Sequence, residues 1–207
     1  MARALAKQLG YVFIDSGAMY RAVTLYFINT AVDINNANQV ADALSKITIH
    51  FEFNPEKGTA DTYLNGANVE AEIRTMQVAQ QVSNVSALSP VRRFLVKQQQ
   101  QMGEKKGIVM DGRDIGTVVF PQAELKIFLT ARPEVRANRR LKELQDKGEN
   151  WAFNDVLKNL QERDTIDSNR ADSPLKQAED ALVLDNSDIT REEQLNLALK
   201  WANERIN

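Results

Sequence analysis

The sequence predicts an α/β protein, a parallel sheet covered by helices on both faces and carrying a small antiparallel insert. Four short, almost continuous apolar runs, YVFID (11–15), GIVMD (107–111), LKIFLTA (125–131) and ALVLDN (181–186), have the length and composition of strands buried on both faces. Amphipathic helical patterns stand between and after them, and this alternation is the order that folds into a parallel sheet. One stretch departs from it: ITIHFEF (47–53) alternates with period two, and DTYLNGANVE (61–70) follows, with an Asn65-Gly66 pair suited to a tight hairpin turn.

In chain order, MARALAKQLG reads as helix from its first residues, with no strand or cap ahead of it, and leads into the first strand. Helical patterns then cover roughly 17–31, 74–102, 133–146, 151–165 and 190–205, and residues 47–70 form the antiparallel insert. Ser89-Pro90 reads as an N-cap and first helical position. With 207 residues and 43% apolar content, the chain can bury one sizeable core, as a single domain or a domain with an insert.

Composition excludes several classes. There are no cysteines, so disulfides and thiolate metal sites are ruled out and a cytoplasmic location fits. No apolar run approaches the roughly 18 residues that span a bilayer, and polar residues interrupt 1–14 where a secretory signal would be apolar. The net charge of −2 and pI near 5.6 argue against a broad basic surface for nucleic acid. Any anion is therefore met locally.

Ligands of open α/β sheets sit beyond the carboxyl ends of the strands, and three of the predicted strands end in polar clusters. The first runs into Asp15-Ser16-Gly17 and Tyr20-Arg21, the second into Asp111-Gly112-Arg113-Asp114, the last into Asp185-Asn186. Each cluster alone reads as a helix cap or a turn; their coincidence on one sheet edge points to a site. Arginine placement adds to this. Arg92 and Arg93 fall in the first turn of the helix after Ser89-Pro90, where the macrodipole disfavours cations and a bound anion would relieve the conflict. Arg136, Arg139 and Arg140 share a helical face, as do Arg163, Asp167 and Arg170 at i, i+4 and i+7. Arginine supplies 14 of the 26 cationic residues, and its fork suits phosphate oxygens. The single histidine, His50, lies in the period-two insert and reads as an ordinary sheet residue, which leaves histidine acid–base and zinc chemistry little support. Phosphoryl transfer needs neither.

DSGAMYR (15–21), EIRTMQVAQQVSNVSALSPVR (72–92), DGRDIGTVVFP (111–121), KIFLTARPEVRANRR (126–140) and ERDTIDSNRADSPL (162–175) together resemble bacterial cytidylate kinases, the long-insert branch of the nucleoside monophosphate kinases. The likeness runs in order from residue 1 to about 200. It implies a P-loop-kinase-like domain over 1–207, with a five-stranded parallel sheet in the family, a monophosphate-binding insert at 33–92 and a lid at 132–170. It also implies a first strand and a GxxxxGK(S/T) phosphate loop directly before the opening helix, and neither stands in these residues; a truncated or late-started chain is the expected reason. The activity implied is transfer of the γ-phosphoryl group of MgATP to CMP or dCMP. A binding-only pseudokinase, a UMP or AMP kinase and, remotely, a nucleic-acid binder are the alternatives.

The resemblance also distributes roles. Ser16, Arg92 and Asp114 match positions that read the cytosine ring; Arg21, Arg113 and Arg170 those that hold the acceptor α-phosphate; Tyr20, Arg163 and Asp167 those around the sugar. Arg163 and Arg170 also match positions facing the transferred group. Arg136, Arg139 and Arg140 fall in the lid that closes over ATP, and Asp111 is the candidate for indirect contact with Mg2+. The partners implied are the small nucleotides alone, with no nucleic acid and no membrane, acting on a monomer.

Overall fold

The opening residues do form a helix. α1 (Ala2–Leu9) ends at Gly10, whose φ of 68° is one that a side chain resists, and the chain enters β1 (Val12–Asp15) directly. The computed structural model describes residues 1–56, 59–146 and 148–206. β1 runs into α2 (Ser16–Asn29), then α3 (Ala37–Ser45). An antiparallel unit follows, β2 (Ile49–Asn54), β3 (Thr59–Leu64) and β4 (Ala67–Asn68). A 3-10 turn over Glu72–Arg74 leads to α4 (Met76–Ser86) and α5 (Ser89–Gly103). Next come β5 (Ile108–Asp111), a π-helical turn over Ile115–Val119 and β6 (Ile127–Thr130). The helical pair α6 (Pro133–Gln145) and α7 (Phe153–Asn169), then β7 (Leu182–Asp185) and α8 (Arg191–Ile206), complete the order.

All four predicted parallel strands form, but they pair as two ladders: β1 with β5 and β6 with β7. Asp15 and Asp111 are register partners, whereas Asp185 ends the other ladder. The expectation of one sheet edge is corrected accordingly. Val12, Leu129 and Val183 remain exposed on strands that read as buried on both faces, because an apolar run reports a strand and not what covers it. α1 and α8 link the ladders: Leu5, Ala198 and Ala202 are buried against Val109 of β5 and Ile127 of β6.

Asn65 and Gly66 both have positive φ, 51° and 82°, the pair required by the mirror-image turns that close two-residue hairpins. They join β3 to β4, and β2 pairs along the other edge of β3 from Ile49↔Leu64 to Asn54↔Thr59. The long helix expected at 74–102 is broken. Thr75 and Leu88 both adopt extended backbone, so Leu88 caps α5 and Ser89 becomes its first residue. α3 arises where no helix was expected, started by Asn36, whose side chain accepts from the Asn38 and Gln39 amides.

The largest core surrounds α2, which is buried nearly all round. Met19 and Val23 meet Val40 of α3, Ile73, Val78 of α4, and Val91 and Leu95 of α5. Each such side chain adds about 1.5–3 kcal/mol of hydrophobic stabilisation. The α6–α7 pair rests on a smaller cluster in which Ala137, Leu144 and Val156 are buried.

Candidate active site

The ends of β1 and β5 are stitched together. Asp15 caps α2 by accepting from the Ala18 amide at 2.9 Å, and the buried Ser16 hydroxyl donates to the Asp111 carbonyl at 2.5 Å. A Cβ at Gly112 would stand 2.3 Å from Ser16 Oγ and 2.9 Å from Ile115, so the approach requires glycine. The Asp111 carboxyl is pushed up to about 6, first by loss of surrounding water and then by the Asp15 carboxylate; Arg3 opposes the shift. Its side chain still reaches solvent, and water screens the group in part.

Beside this point α5 buries a charge. Arg92 pairs with Asp114 just after β5, and the two side chains are 2% and 3% exposed. Arg92 also donates to the Ser86 carbonyl at 3.1 Å and lies over the Tyr20 ring, 5.3 Å from its centroid. Thus the anion near the start of α5 includes the protein's own Asp114, and the Asp114 side chain is not the helix cap that it could have been. Arg170, from the end of α7, donates to the Ser173 carbonyl at 2.7 Å and to Asp167 at 3.1 Å. Among the described residues, the buried Tyr20 hydroxyl, Arg92 Nε and Arg170 Nη2 have no hydrogen-bond partner. Burial pushes the Tyr20 hydroxyl up to about 12; Arg92 opposes the shift, and Asp114 adds to it.

Next to this pair stands a group of guanidinium ions. Arg21 is held below the ordinary arginine range by burial first, then by Arg74, Arg163 and Arg140, with Asp15 opposing. Arg163 is lowered by burial and then by Arg113 and Arg140, while Asp167 opposes. Asp167 receives Arg113 Nε at 3.1 Å, and Arg170 is lowered by burial and then by Arg92. Desolvated cations facing one another form a site that an anion with several oxygens would stabilise. The fold therefore gathers Ser16, Tyr20, Arg21, Arg92, Arg113, Asp114, Arg163, Asp167 and Arg170 around the ends of β1 and β5.

Residues 1–204 match the cytidylate kinase family. The chain belongs to that family. A cytidylate kinase of Flavobacterium psychrophilum is 54% identical over 206 residues, covering 98% of this chain and 91% of that protein. One of Bacteroides thetaiotaomicron is 54% identical over 209 residues, covering 100% and 90%. One of Parabacteroides distasonis is 58% identical over 197 residues, covering 94% and 86%. Members of the family are transferases that act on nucleotides, and no helix among the described residues is long and apolar enough to cross a membrane.

Within this family framework the three α6 arginines do not act as one face. Arg136 forms a two-point pair with Asp164 of α7, at 2.5 and 3.0 Å, which raises its pKa. Arg139 turns to Asn186 after β7, bonding its side-chain oxygen at 2.7 Å and its carbonyl at 2.6 Å. Arg140 pairs with Glu143 and also adds to the charge felt by Arg21 and Arg163. Helical spacing shows which residues share a face; it does not show which partner each long side chain reaches. Asp185 serves a turn, accepting from the Ser187 amide at 2.8 Å. His50 is the expected sheet residue, exposed, stacked on Tyr63 and 2.9 Å from Glu52. Sequence reasoning passed over Arg74, which joins Asp15 to Glu70 at 3.0 Å each, and Asp172, whose carboxyl is held low by the Ser173 and Ser89 hydroxyls and by Arg92 and Arg93. Arg74 reaches Asp15, 59 residues away, and Asp172 reaches Ser89, Arg92 and Arg93 across the fold, and no local pattern marks these contacts.

Proposed function

We propose that the chain transfers the γ-phosphoryl group of MgATP to CMP or dCMP, giving CDP or dCDP and ADP. One observation carries this reading: the buried Arg92–Asp114 pair adjoins a group of desolvated arginines. A base reader thus stands beside a phosphate clamp. Asp114 accepts from the cytosine amino group, Arg92 Nε donates to an acceptor on the ring edge, and Ser16 closes the same pocket. Uracil would place a carbonyl against the Asp114 carboxylate, which is how such a site discriminates. Arg21, Arg113 and Arg170 hold the acceptor α-phosphate, while Tyr20, Arg163 and Asp167 surround the sugar, with Asp167 accepting from a ribose hydroxyl.

The chemistry is an in-line attack of an acceptor phosphate oxygen on the γ-phosphorus. The acceptor is already ionised at neutral pH, so no protein base is required, and transfer rests on positioning and on cations around the migrating group. Arg163 and Arg170 face that group. Arg136, Arg139 and Arg140 act on the donor side, exchanging Asp164, Asn186 and Glu143 for phosphate oxygens as α6 and α7 close. No group of three or more His, Cys, Asp or Glu side chains is placed to hold a metal among the described residues. Two carboxylates, Asp111 and Asp15, stand together; hard oxygen donors of this kind fit Mg2+, and Asp111 would be the residue to help hold it. The ion supplies neutralisation of phosphate charge. Residues 1–207 act as one kinase domain, with 33–92 as the acceptor insert and 132–170 as the lid, working as a cytoplasmic monomer.

The test is ADP formation from MgATP with CMP, dCMP, UMP or AMP as acceptor. Preferred turnover of CMP and dCMP is expected; preference for UMP or AMP, or CMP binding without transfer, overturns the proposal. Arg113→Ala is expected to lower kcat/KM by at least ~100-fold, as for other arginine clamps. A loss below about tenfold removes Arg113 from the clamp.

A further inference from the structure

The acceptor insert meets the end of β1 through one side chain that the kinase reading leaves without a role. Arg74 closes the 3-10 turn after β4, and its Nη2 reaches Asp15 at 3.0 Å and Glu70 at 3.0 Å, with Nε on Glu70 at 3.2 Å. Both carboxylates are anchored on their far sides. Asp15 caps α2 through the Ala18 amide, and Glu70 accepts from the Thr62 amide at 3.1 Å and the Thr62 hydroxyl at 2.7 Å. A continuous polar connection therefore runs from β3 through Glu70, Arg74 and Asp15 to the start of α2. The residue before Arg74 matters as much, because the Ile73 carbonyl accepts from Arg21 Nη1 at 3.3 Å.

We infer that Arg74 is a positioning residue for the acceptor phosphate: it fastens the Glu72–Arg74 turn to the end of β1, so that the Ile73 carbonyl holds the Arg21 guanidinium in its phosphate-facing orientation. Two features separate this role from that of an ordinary surface ion pair, which contributes little. One guanidinium bridges two carboxylates whose side chains are only 24% and 21% exposed. Ile73, moreover, is fully buried in the main core, so the turn keeps its fold without Arg74 and loses only its alignment. The charges support the placement: Arg74 is the neighbour that most lowers the Arg21 pKa after burial itself, while Asp15 and Glu70 raise that of Arg74. Arginine is required for the bridge, since an ammonium group lacks the fork that spans two carboxylates.

The inference rests on the acceptor site proposed above, and the experiment separates the two. CMP and cytidine share base and sugar, and only CMP carries the phosphate. Their affinities are measured by titration calorimetry for the wild-type chain, Arg74→Ala and Arg74→Lys, with thermal melts as folding controls. Arg74→Ala is expected to weaken CMP binding about tenfold and cytidine binding less than about twofold, with Arg74→Lys between it and wild type for CMP. Equal weakening of both ligands assigns Arg74 a purely structural role and overturns the inference, as does an unchanged CMP affinity. If Arg74→Ala fails to fold, the same CMP-to-cytidine comparison in Arg74→Lys decides. Failure of the wild-type chain to bind CMP overturns the acceptor site itself, and the inference falls with it.

Discussion

Arg92 is 2% exposed and ends on Asp114 beside the largest core, whereas Arg136 is 31% exposed and ends on Asp164 across a cluster with three buried residues. The same residue type pairs with one aspartate in both places, yet the surroundings give it opposite properties. Around α2 and α5 the charge cannot leave its carboxylate without a large desolvation cost, so the pair is fixed in place. On α6 and α7 water shares the load, and the pair can be exchanged for another anion at little cost. A kinase of this design would read its acceptor with the rigid half and enclose its donor with the exchangeable half.

The comparison is broken most sharply at Asp114. Asp114→Ala strands a buried guanidinium and is expected to cost about 3–5 kcal/mol in denaturant unfolding. If the protein survives, it should also lose preference for CMP over UMP; an unchanged ratio removes Asp114 from base recognition. Leucine truncations measure the two cores. Leu95→Ala, at a fully buried site in the large cluster, is expected near the top of the roughly 2–5 kcal/mol range for such changes, and Leu144→Ala near the bottom. Equal costs would mean that α6–α7 is as firmly fixed as α2–α5. Smaller still, Arg136→Ala should change stability by only about 0–1 kcal/mol in the same unfolding experiment. A larger loss would make its pair with Asp164 a structural fixture.

A pH dependence belongs to the rigid side and is felt only at high pH. The Tyr20 hydroxyl is raised from 10.0 to about 12, so the folded state favours its neutral form. That contribution is fully present below pH 10 and is lost as pH rises through about 12. Spectrophotometric titration of the four tyrosines should therefore find one that ionises well above the others, and Tyr20→Phe should remove it. Four overlapping titrations would mean that Tyr20 is open to water.

Much of the site was legible because its residues cluster at the ends of strands that announce themselves as apolar runs, as at Asp15-Ser16 and Asp111 to Asp114. The helix dipole marks Arg92 as a cation in need of an anion, and its spacing in the sequence does not tell a ligand from Asp114, 22 residues onward. Arg74 gave only the four-residue spacing to Glu70 of an ordinary ion pair, since its other partner Asp15 lies 59 residues away and nothing in EIRT distinguishes an anchoring arginine from a solvated one. The α6 arginines were placed on the right helix and assigned a common face, but their side chains reach three different partners.

By itself the sequence determined the alternation of strands and helices, the hairpin at Asn65-Gly66 and the chemical character of the site, because apolar period, turn chemistry and residue type are local properties. Tertiary structure alone decided that the strands pair as two ladders, that Arg92 is buried while Arg136 is half open, and that Arg74 joins the insert to β1. Those outcomes depend on which distant groups share a small volume and how much water remains between them, and local sequence does not carry that information.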